Sequence, residues 1–299
     1  MKSVMQHIEE MKSASSYLLA LAKHNVQAYI SNPKAKAAMV TGSAAEGQCD
    51  YYSDIDMSIY YEELPSEEEL EIARQQNHGS ERIWFLGDRS YGAFLEAYFV
   101  NGVECQIGHT TIATWEQDMA TILTELDVTS PMQKALSGIL ICIPLHGEEF
   151  IQKWKAKAAN YPDALAQAMV ERHLQFFPLW GLQQDYFATR DATLWQHQIL
   201  VEAAQNILGV LSGLNRLYYS TFQFKRMGKF IEKMNIVPDN LSLRLESLFH
   251  TPAYSAANAL QELVRETVEL VELHMPQVDT SQVRRKLDSK RQAWKLLTY

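Results

Sequence analysis

The hydrophobic pattern of the chain changes near residue 147, and this change limits the folds open to it. Before Gly147, short apolar runs are separated by Gly, Asn and Asp, whereas from Glu148 onward apolar residues recur at steps of three and four. Short runs bounded by turn residues predict strands, and steps of three and four predict amphipathic helices. We therefore predict an α+β fold, with a sheet-containing domain over 1–147 and a helical bundle domain over 148–299.

Local signals place helices and strands in the first domain. One helix is predicted over residues 4–30, ended by Asn32-Pro33, and another after Ser66, where glutamates follow a capping serine. Asn101-Gly102 predicts a type I′ hairpin, so the sheet is at least partly antiparallel. The predicted strands are 37–40, 54–59, 82–86, 94–100 and 103–109.

One short segment carries most of the chemistry that the sequence suggests. Gly42 and Ser43 follow the first predicted strand, and Asp54 and Asp56 lie on the next. Carboxylates at i and i+2 of a strand share a face, and two like charges held that close favour a bound cation such as Mg²⁺. Backbone N–H groups and a hydroxyl in a turn favour phosphate. The segment therefore predicts a site for a nucleoside triphosphate.

The same segment resembles a known signature. Gly42-Ser43 followed by Ser53-Asp54-Ile55-Asp56 is similar to the Gly-Ser…Asp-x-Asp motif of the DNA polymerase β-like nucleotidyltransferase superfamily. The order of leading helix, strand, Gly-Ser turn, Asp-x-Asp strand and later antiparallel strands fits the mixed-sheet core of that family.

The second half resembles the helical bundles of the aminoglycoside and lincosamide nucleotidyltransferase branch. The similarity rests loosely on residues 214–218, Lys225 and residues 231–233. It implies that the bundle closes a cleft over the first domain, and that the acceptor binds between the two domains.

The resemblance implies a reaction and a set of residues for it. ATP or another NTP donates a nucleoside monophosphate, most simply AMP, to a hydroxyl of a small molecule such as an aminoglycoside-like antibiotic, and pyrophosphate leaves. Two Mg²⁺ ions would stabilise the entering and departing oxygens. The implied metal ligands are Asp54, Asp56 and Glu104, and the implied nucleotide contacts are Gly42, Ser43, Ser53 and Lys225.

The third carboxylate of the family motif is where this sequence departs from the pattern. In the strand over 103–109, Cys105 and Ile107 are expected to face the core, so Glu104 and Gln106 share the polar face. The family register places the acid at Gln106. Glu104 points the same way and is proposed as the substitute ligand or base, while a true loss of the third acid predicts nucleotide binding with little turnover.

Two groups of basic residues are candidates for the triphosphate. Lys225 is favoured by the resemblance. The alternative is the densest positive charge of the chain, Arg284-Arg285-Lys286 with Lys290-Arg291, whose plainer interpretation is a solvated helical face.

Net charge and cysteine content restrict the partners. With 27 Lys and Arg against 36 Asp and Glu, the net charge of −9 disfavours general nucleic-acid binding and suits a cationic acceptor. Three cysteines without a C-x-x-C pair exclude a disulfide framework and suit a reducing, cytoplasmic location. The apolar run over 138–145 is too short to span a bilayer.

Other functions remain as alternatives. One is a nucleotide-binding protein with little or no catalysis, and the other is a toxin–antitoxin-type module that modifies a protein partner. The nine histidines are scattered without zinc-ligand spacing, and no Walker A or G-x-S-x-G motif is present. The sequence leaves the oligomeric state open, a homodimer included.

Overall fold

The helix Val4–Ile30 (α1) opens the computed structural model, which describes residues 4–182 and 184–294. It ends just before Asn32-Pro33, as predicted from the sequence. Leu18, Ala22 and Val26 are buried against the sheet that follows. The helix therefore forms one side of the core of the first half.

A six-stranded mixed sheet forms the centre of that half. Its strand order is β3-β4-β5-β2-β1-β6, where β2 and β5 are parallel and the other four neighbouring pairs are antiparallel. The predicted α+β class and all five predicted strands are confirmed, and β6 is an addition. The strands are β1 (Ala35–Val40), β2 (Ile55–Tyr61), β3 (Trp84–Asp88), β4 (Ala93–Val100), β5 (Val103–Thr111) and β6 (Ile143–His146).

The two faces of the central strands differ in polarity. Ile55, Met57 and Ile59 of β2 are buried against the core, together with Cys105 and Ile107 of β5. The residues between them are partly exposed on the other face. Because side chains alternate along a strand, this pattern collects the polar residues of β2 and β5 on one side.

Helices surround the sheet and make up most of the second half. The second predicted helix is present, and its N-terminus forms a capping box in which Ser66 and Glu69 each bond the other's backbone N–H. The helices after α1 are α2 (Gly42–Glu46), α3 (Glu67–Gln76), α4 (Ile112–Leu123), α5 (Gln133–Ile141), α6 (Glu148–Ala159), α7 (Asp163–His173), α8 (Gln184–Ala188), α9 (Thr193–Leu214), α10 (Met227–Ile231), α11 (Leu241–Ser247), α12 (Ala253–His274) and α13 (Ser281–Leu287).

The chain divides into two compact units that are not continuous in sequence. The first unit comprises residues 1–125 and 135–160, and the second comprises 126–134 and 161–299. Helix α6 belongs to the first unit because Trp154 contacts the rings of Tyr60 and Trp115. The domain limits 1–147 and 148–299 stay a prediction.

In the second unit, α7 and α12 pack against α9. A glycine permits the close approach of α7, since a Cβ at Gly213 would lie 2.7 Å from the carbonyl oxygen of Ala166. No helix within the described residues is both long and apolar enough to cross a membrane.

Candidate functional site

Asp54 and Asp56 lie at the start of β2, on the polar face of the sheet. Asp54 directly precedes the strand and Asp56 is its second residue, with the fully buried Ile55 between them. Both aspartates are partly exposed. The expected pair of carboxylates on one face is therefore present at a strand end.

Gly42 lies directly against the second carboxylate. It follows β1, opens α2 and has a φ of +61°, and a Cβ at this position would overlap Oδ2 of Asp56. The backbone N–H of Thr41 donates to the carbonyl oxygen of Asp56 at 2.9 Å, which fixes the turn beside β2. Only glycine combines this backbone conformation with this close approach.

The two serines proposed as nucleotide contacts take part in local hydrogen bonds. The Cys49 thiol donates to Oγ of Ser43 at 3.4 Å. The N–H of Asp50 donates to Oγ of Ser53 at 3.0 Å, and that hydroxyl donates to Oδ1 of Asp50 at 3.2 Å. These bonds shape the loop between α2 and β2, and a nucleotide role for either serine stays a prediction.

A hydrogen-bonded chain on the neighbouring strand reaches Asp54. Gln106 of β5 is the register partner of Asp56, and its Nε2 donates to Oδ2 of Asp54 at 2.8 Å and to Oε1 of Glu104 at 3.2 Å. The indole Nε1 of Trp84 donates to the same oxygen of Glu104 at 3.0 Å. The structure thus brings Asp54, Gln106 and Glu104 together, with Gln106 between the two acids.

Sequence reasoning missed Trp84 as a member of this chain. The residue lies in a predicted strand, but its partner depends on the antiparallel pairing of β3 with β4, which sets Trp84 opposite Ala97, itself opposite Gln106. Pairing across three strands is not visible in the local pattern of residues.

The donor set fits one Mg²⁺ better than a closed metal cage. Mg²⁺ in proteins is typically bound by one or two carboxylates together with substrate phosphates and water. Asp54 and Asp56 supply two carboxylates. Among the residues that the structure describes, no three His, Cys, Asp or Glu side chains form a group that could hold a metal ion. Oxygens of a bound substrate would have to complete the coordination.

The basic candidates lie in the second unit. Lys225 is exposed in the short 3₁₀ segment Thr221–Arg226. In the alternative cluster, Arg284 pairs with Glu272 at 2.5 Å, and this ion pair lowers the pKa of the Glu272 carboxyl. Lys286 donates to the carbonyl oxygen of Phe176 at 3.3 Å. These two members of the cluster therefore already have structural partners.

A buried charged network lies on the opposite face of the sheet. Glu96 and His109 are both 0% exposed, and Oε1 of Glu96 lies 3.2 Å from Nε2 of His109. Arg74 donates to the other oxygen of Glu96 at 2.6 Å. The Tyr61 hydroxyl lies 3.0 Å from Nδ1 of His109. Sequence reasoning missed this network, since its members are far apart along the chain.

Burial and charge set the protonation states in this network. Burial lowers the pKa of His109 despite the neighbouring carboxylate, so the ring is neutral near pH 7. Burial by itself would raise the pKa of Glu96, but the hydrogen bond from His109 and the charges of Arg74 and Arg82 keep it below its usual value. A neutral ring that accepts from Tyr61 at Nδ1 donates to Glu96 from Nε2.

The chain has distant neighbours among solved structures, although its sequence matches no known family. No family model matches the chain, and no curated protein sequence does. The chain is similar to a nucleotidyltransferase-like protein from Exiguobacterium sibiricum 255-15, with a TM-score of 0.35 and 8% identity over 90% of this chain and 81% of that chain. At that level of similarity the comparison does not assign the chain to a family.

Proposed function

We propose that this protein is a Mg²⁺-dependent nucleotidyltransferase. The observation that carries the proposal is the pair Asp54 and Asp56 at the start of one strand, with the turn glycine Gly42 against one carboxylate. Glu104, on the adjacent parallel strand, reaches the pair through Gln106. Acidic oxygens beside an open turn are suited to a metal-bound triphosphate.

Each residue has a role in this proposal. Asp54 and Asp56 hold Mg²⁺, which supplies positive charge to the triphosphate. An acceptor hydroxyl bonds to the α-phosphorus as the bond to pyrophosphate breaks, and Glu104 takes the hydroxyl proton or serves as a further metal ligand. A second Mg²⁺ is part of the proposal and would require Glu104 as a further ligand, although the described side chains form no three-residue metal group before substrate binds. Gly42, Ser43, Ser53 and Lys225 are the proposed nucleotide contacts.

The proposed donor is ATP or another NTP, and the proposed acceptor is a small molecule with a free hydroxyl. The net charge of −9 supports a cationic acceptor of the aminoglycoside kind, because acidic surfaces raise the local concentration of cations.

Replacing either aspartate should abolish turnover. Asp54→Asn and Asp56→Asn each remove a negative charge from the metal site, so pyrophosphate release should fall at least about a hundredfold. The assay follows pyrophosphate from each NTP with Mg²⁺ and a panel of hydroxyl acceptors. Glu62→Gln is the matched control, because Glu62 directly follows the other end of the same strand and pairs with Lys36 at 3.2 Å. Turnover that survives both aspartate variants would disprove the proposal.

A second function, nucleotide binding with little catalysis, is favoured by Gln106. Its neutral amide stands opposite Asp56 and uses an N–H to bond Asp54. In that case the native chain binds ATP without releasing pyrophosphate, and Gln106→Glu should add the missing acid and produce measurable release. Gln106→Asn preserves the amide and is the control. Efficient turnover by the native chain would exclude this second function.

A further inference from the structure

The second unit contains an open pocket whose lining residues all belong to that unit. Its volume is about 510 Å³. It is lined by α9, the 3₁₀ segment Thr221–Arg226, α10, α11 and the residue Phe249 after α11. Pockets of roughly 300–1,000 Å³ are the usual size for small organic ligands.

The wall of this pocket is mainly apolar. Phe224, Met227, Leu245 and Phe249 contribute side chains, and Val201 contributes from α9. The ring of Phe249 stacks at 6.2 Å on His197, also of α9, which holds the aromatic wall in place. Such a wall suits a flat or apolar body more than a sugar or a hydrated ion.

The rim of the pocket carries more positive than negative charge. Three exposed basic residues, Lys225, Arg226 and Lys229, stand against two acids, Glu232 and Glu246. Lys229 and Glu232 pair at 3.2 Å and largely offset each other. In a chain with a net charge of −9, a basic rim on an apolar pocket favours an anion.

We propose that this pocket binds a small organic anion with an apolar, preferably aromatic, body. The body lies against Phe224, Met227 and Phe249, and the acidic group meets Lys225 at the rim. A nucleotide and a simple aromatic carboxylate or sulfonate share this chemistry. Binding here requires neither Mg²⁺ nor turnover, so it can be measured apart from the transfer reaction, and Lys225 is the residue that this pocket shares with the proposed nucleotide contacts.

The test uses 8-anilinonaphthalene-1-sulfonate as the probe, titrated into the full chain without Mg²⁺ and followed by its fluorescence. Val201→Phe should narrow the pocket and Lys225→Glu should repel the sulfonate, each weakening binding about tenfold or more. Leu194→Phe lies on the same helix at a position 85% exposed and outside the pocket, and Lys290→Glu makes the same charge change elsewhere. Both controls should bind the probe like the native chain.

Displacement of the probe by competing ligands identifies the class of anion that the pocket binds. Probe binding by a variant of the carboxylate site shows whether the two sites act independently. Naphthalene-1-sulfonate should displace the probe at concentrations where neutral naphthalene-1-methanol does not. Displacement by ATP as well makes a nucleotide the occupant, whereas displacement by the sulfonate alone makes it a non-nucleotide anion. Asp56→Asn should bind the probe normally even if it has lost all turnover. Equal displacement by the neutral alcohol, or equal probe binding by Lys225→Glu and Lys290→Glu, would overturn the proposal.

Discussion

A side chain at position 42 meets two separate costs, one from the backbone and one from Asp56. The φ of +61° at Gly42 disfavours any residue with a Cβ, and the added atom would also overlap the Asp56 carboxylate. The backbone cost is about 1–2 kcal/mol. We expect Gly42→Ala to lower the free energy of unfolding by more than this amount and to weaken NTP binding, as measured by urea denaturation and by titration.

Gly47 provides a matched control for that prediction. It has a φ of +69°, close to that of Gly42, but a Cβ there meets nothing within 4 Å. Gly47→Ala should therefore show the backbone cost alone and leave nucleotide binding intact. Equal losses in the two variants would mean that the close approach to Asp56 has no consequence.

Among the elements of the first unit, the buried network joins α3, β4, β5 and β2, and its protonation predicts a pH dependence. The pKa of His109 is lower in the folded chain than in the unfolded chain, so the unfolded state binds an additional proton below about pH 6.5. The contribution of His109 to the free energy of unfolding is therefore complete above that pH and decreases as the pH is lowered. The lowered pKa of Glu96 acts in the same direction, but only in more acidic solution.

The slope of the unfolding free energy between pH 5 and 7 measures this effect. The His109 contribution approaches about 1.4 kcal/mol per pH unit below pH 6.5. His109→Gln keeps an N–H donor for Glu96 without a titrating ring, so its slope should be smaller by that amount. His24→Gln, at an exposed position on α1, should retain the native slope. Identical slopes in both variants would contradict a buried neutral His109.

Elements with strong local signals could be predicted from the sequence. Helix α1 has the predicted limits, and the Asn101-Gly102 hairpin has a positive φ at both residues, 51° and 80°. The alternating polarity of 103–109 also placed Cys105 in the core. In each case the deciding interactions lie within a few neighbouring residues.

Contacts across strands could not be predicted in the same way. Whether Glu104 or Gln106 meets Asp54 depends on the register between β2 and β5, which are separated by two other strands along the chain. In the structure, the side-chain amide of Gln106 donates to Asp54. Glu104 accepts hydrogen bonds from Gln106 and Trp84. Whether Asp54 and Glu104 lie on the same polar face depends on the register between β2 and β5. No local pattern of residues specifies that register.

At the scale of the whole molecule, the short segment 126–134 packs with the second unit, to which Gln133 is hydrogen-bonded. Gln133 is fully buried, its Oε1 accepts from the backbone N–H of Tyr219 at 3.1 Å, and its Nε2 donates to the carbonyl oxygen of Val128 at 2.9 Å. Gln133→Ala leaves both backbone groups without this partner, at a cost of about 1–3 kcal/mol. We expect a corresponding fall in the free energy of unfolding, measured in urea.

Gln198→Ala is the control for that variant. Gln198 is exposed on α9 and bonds Glu202 one turn away at 2.9 Å, so its loss should change stability by less than about 0.5 kcal/mol. If both variants are equally stable, the buried amide does not support the second unit.

The sequence could not reveal this interleaved division, because a helix of the first unit resembles those of the second. Helix α6 has the same amphipathic period as a bundle helix, and only the contacts of Trp154 with Tyr60 and Trp115 place it with the sheet. Periodicity predicts that a face is buried but does not say what buries it.

The interleaving has a consequence for how the protein is made on the ribosome. Synthesis proceeds from the N-terminus, so residues 126–134 leave the exit tunnel before any of residues 161–299 with which they pack. The same residues interrupt the first unit, whose last helix follows them. The nascent chain must therefore carry this segment without its partners in the second unit until more than half of the polypeptide has been translated.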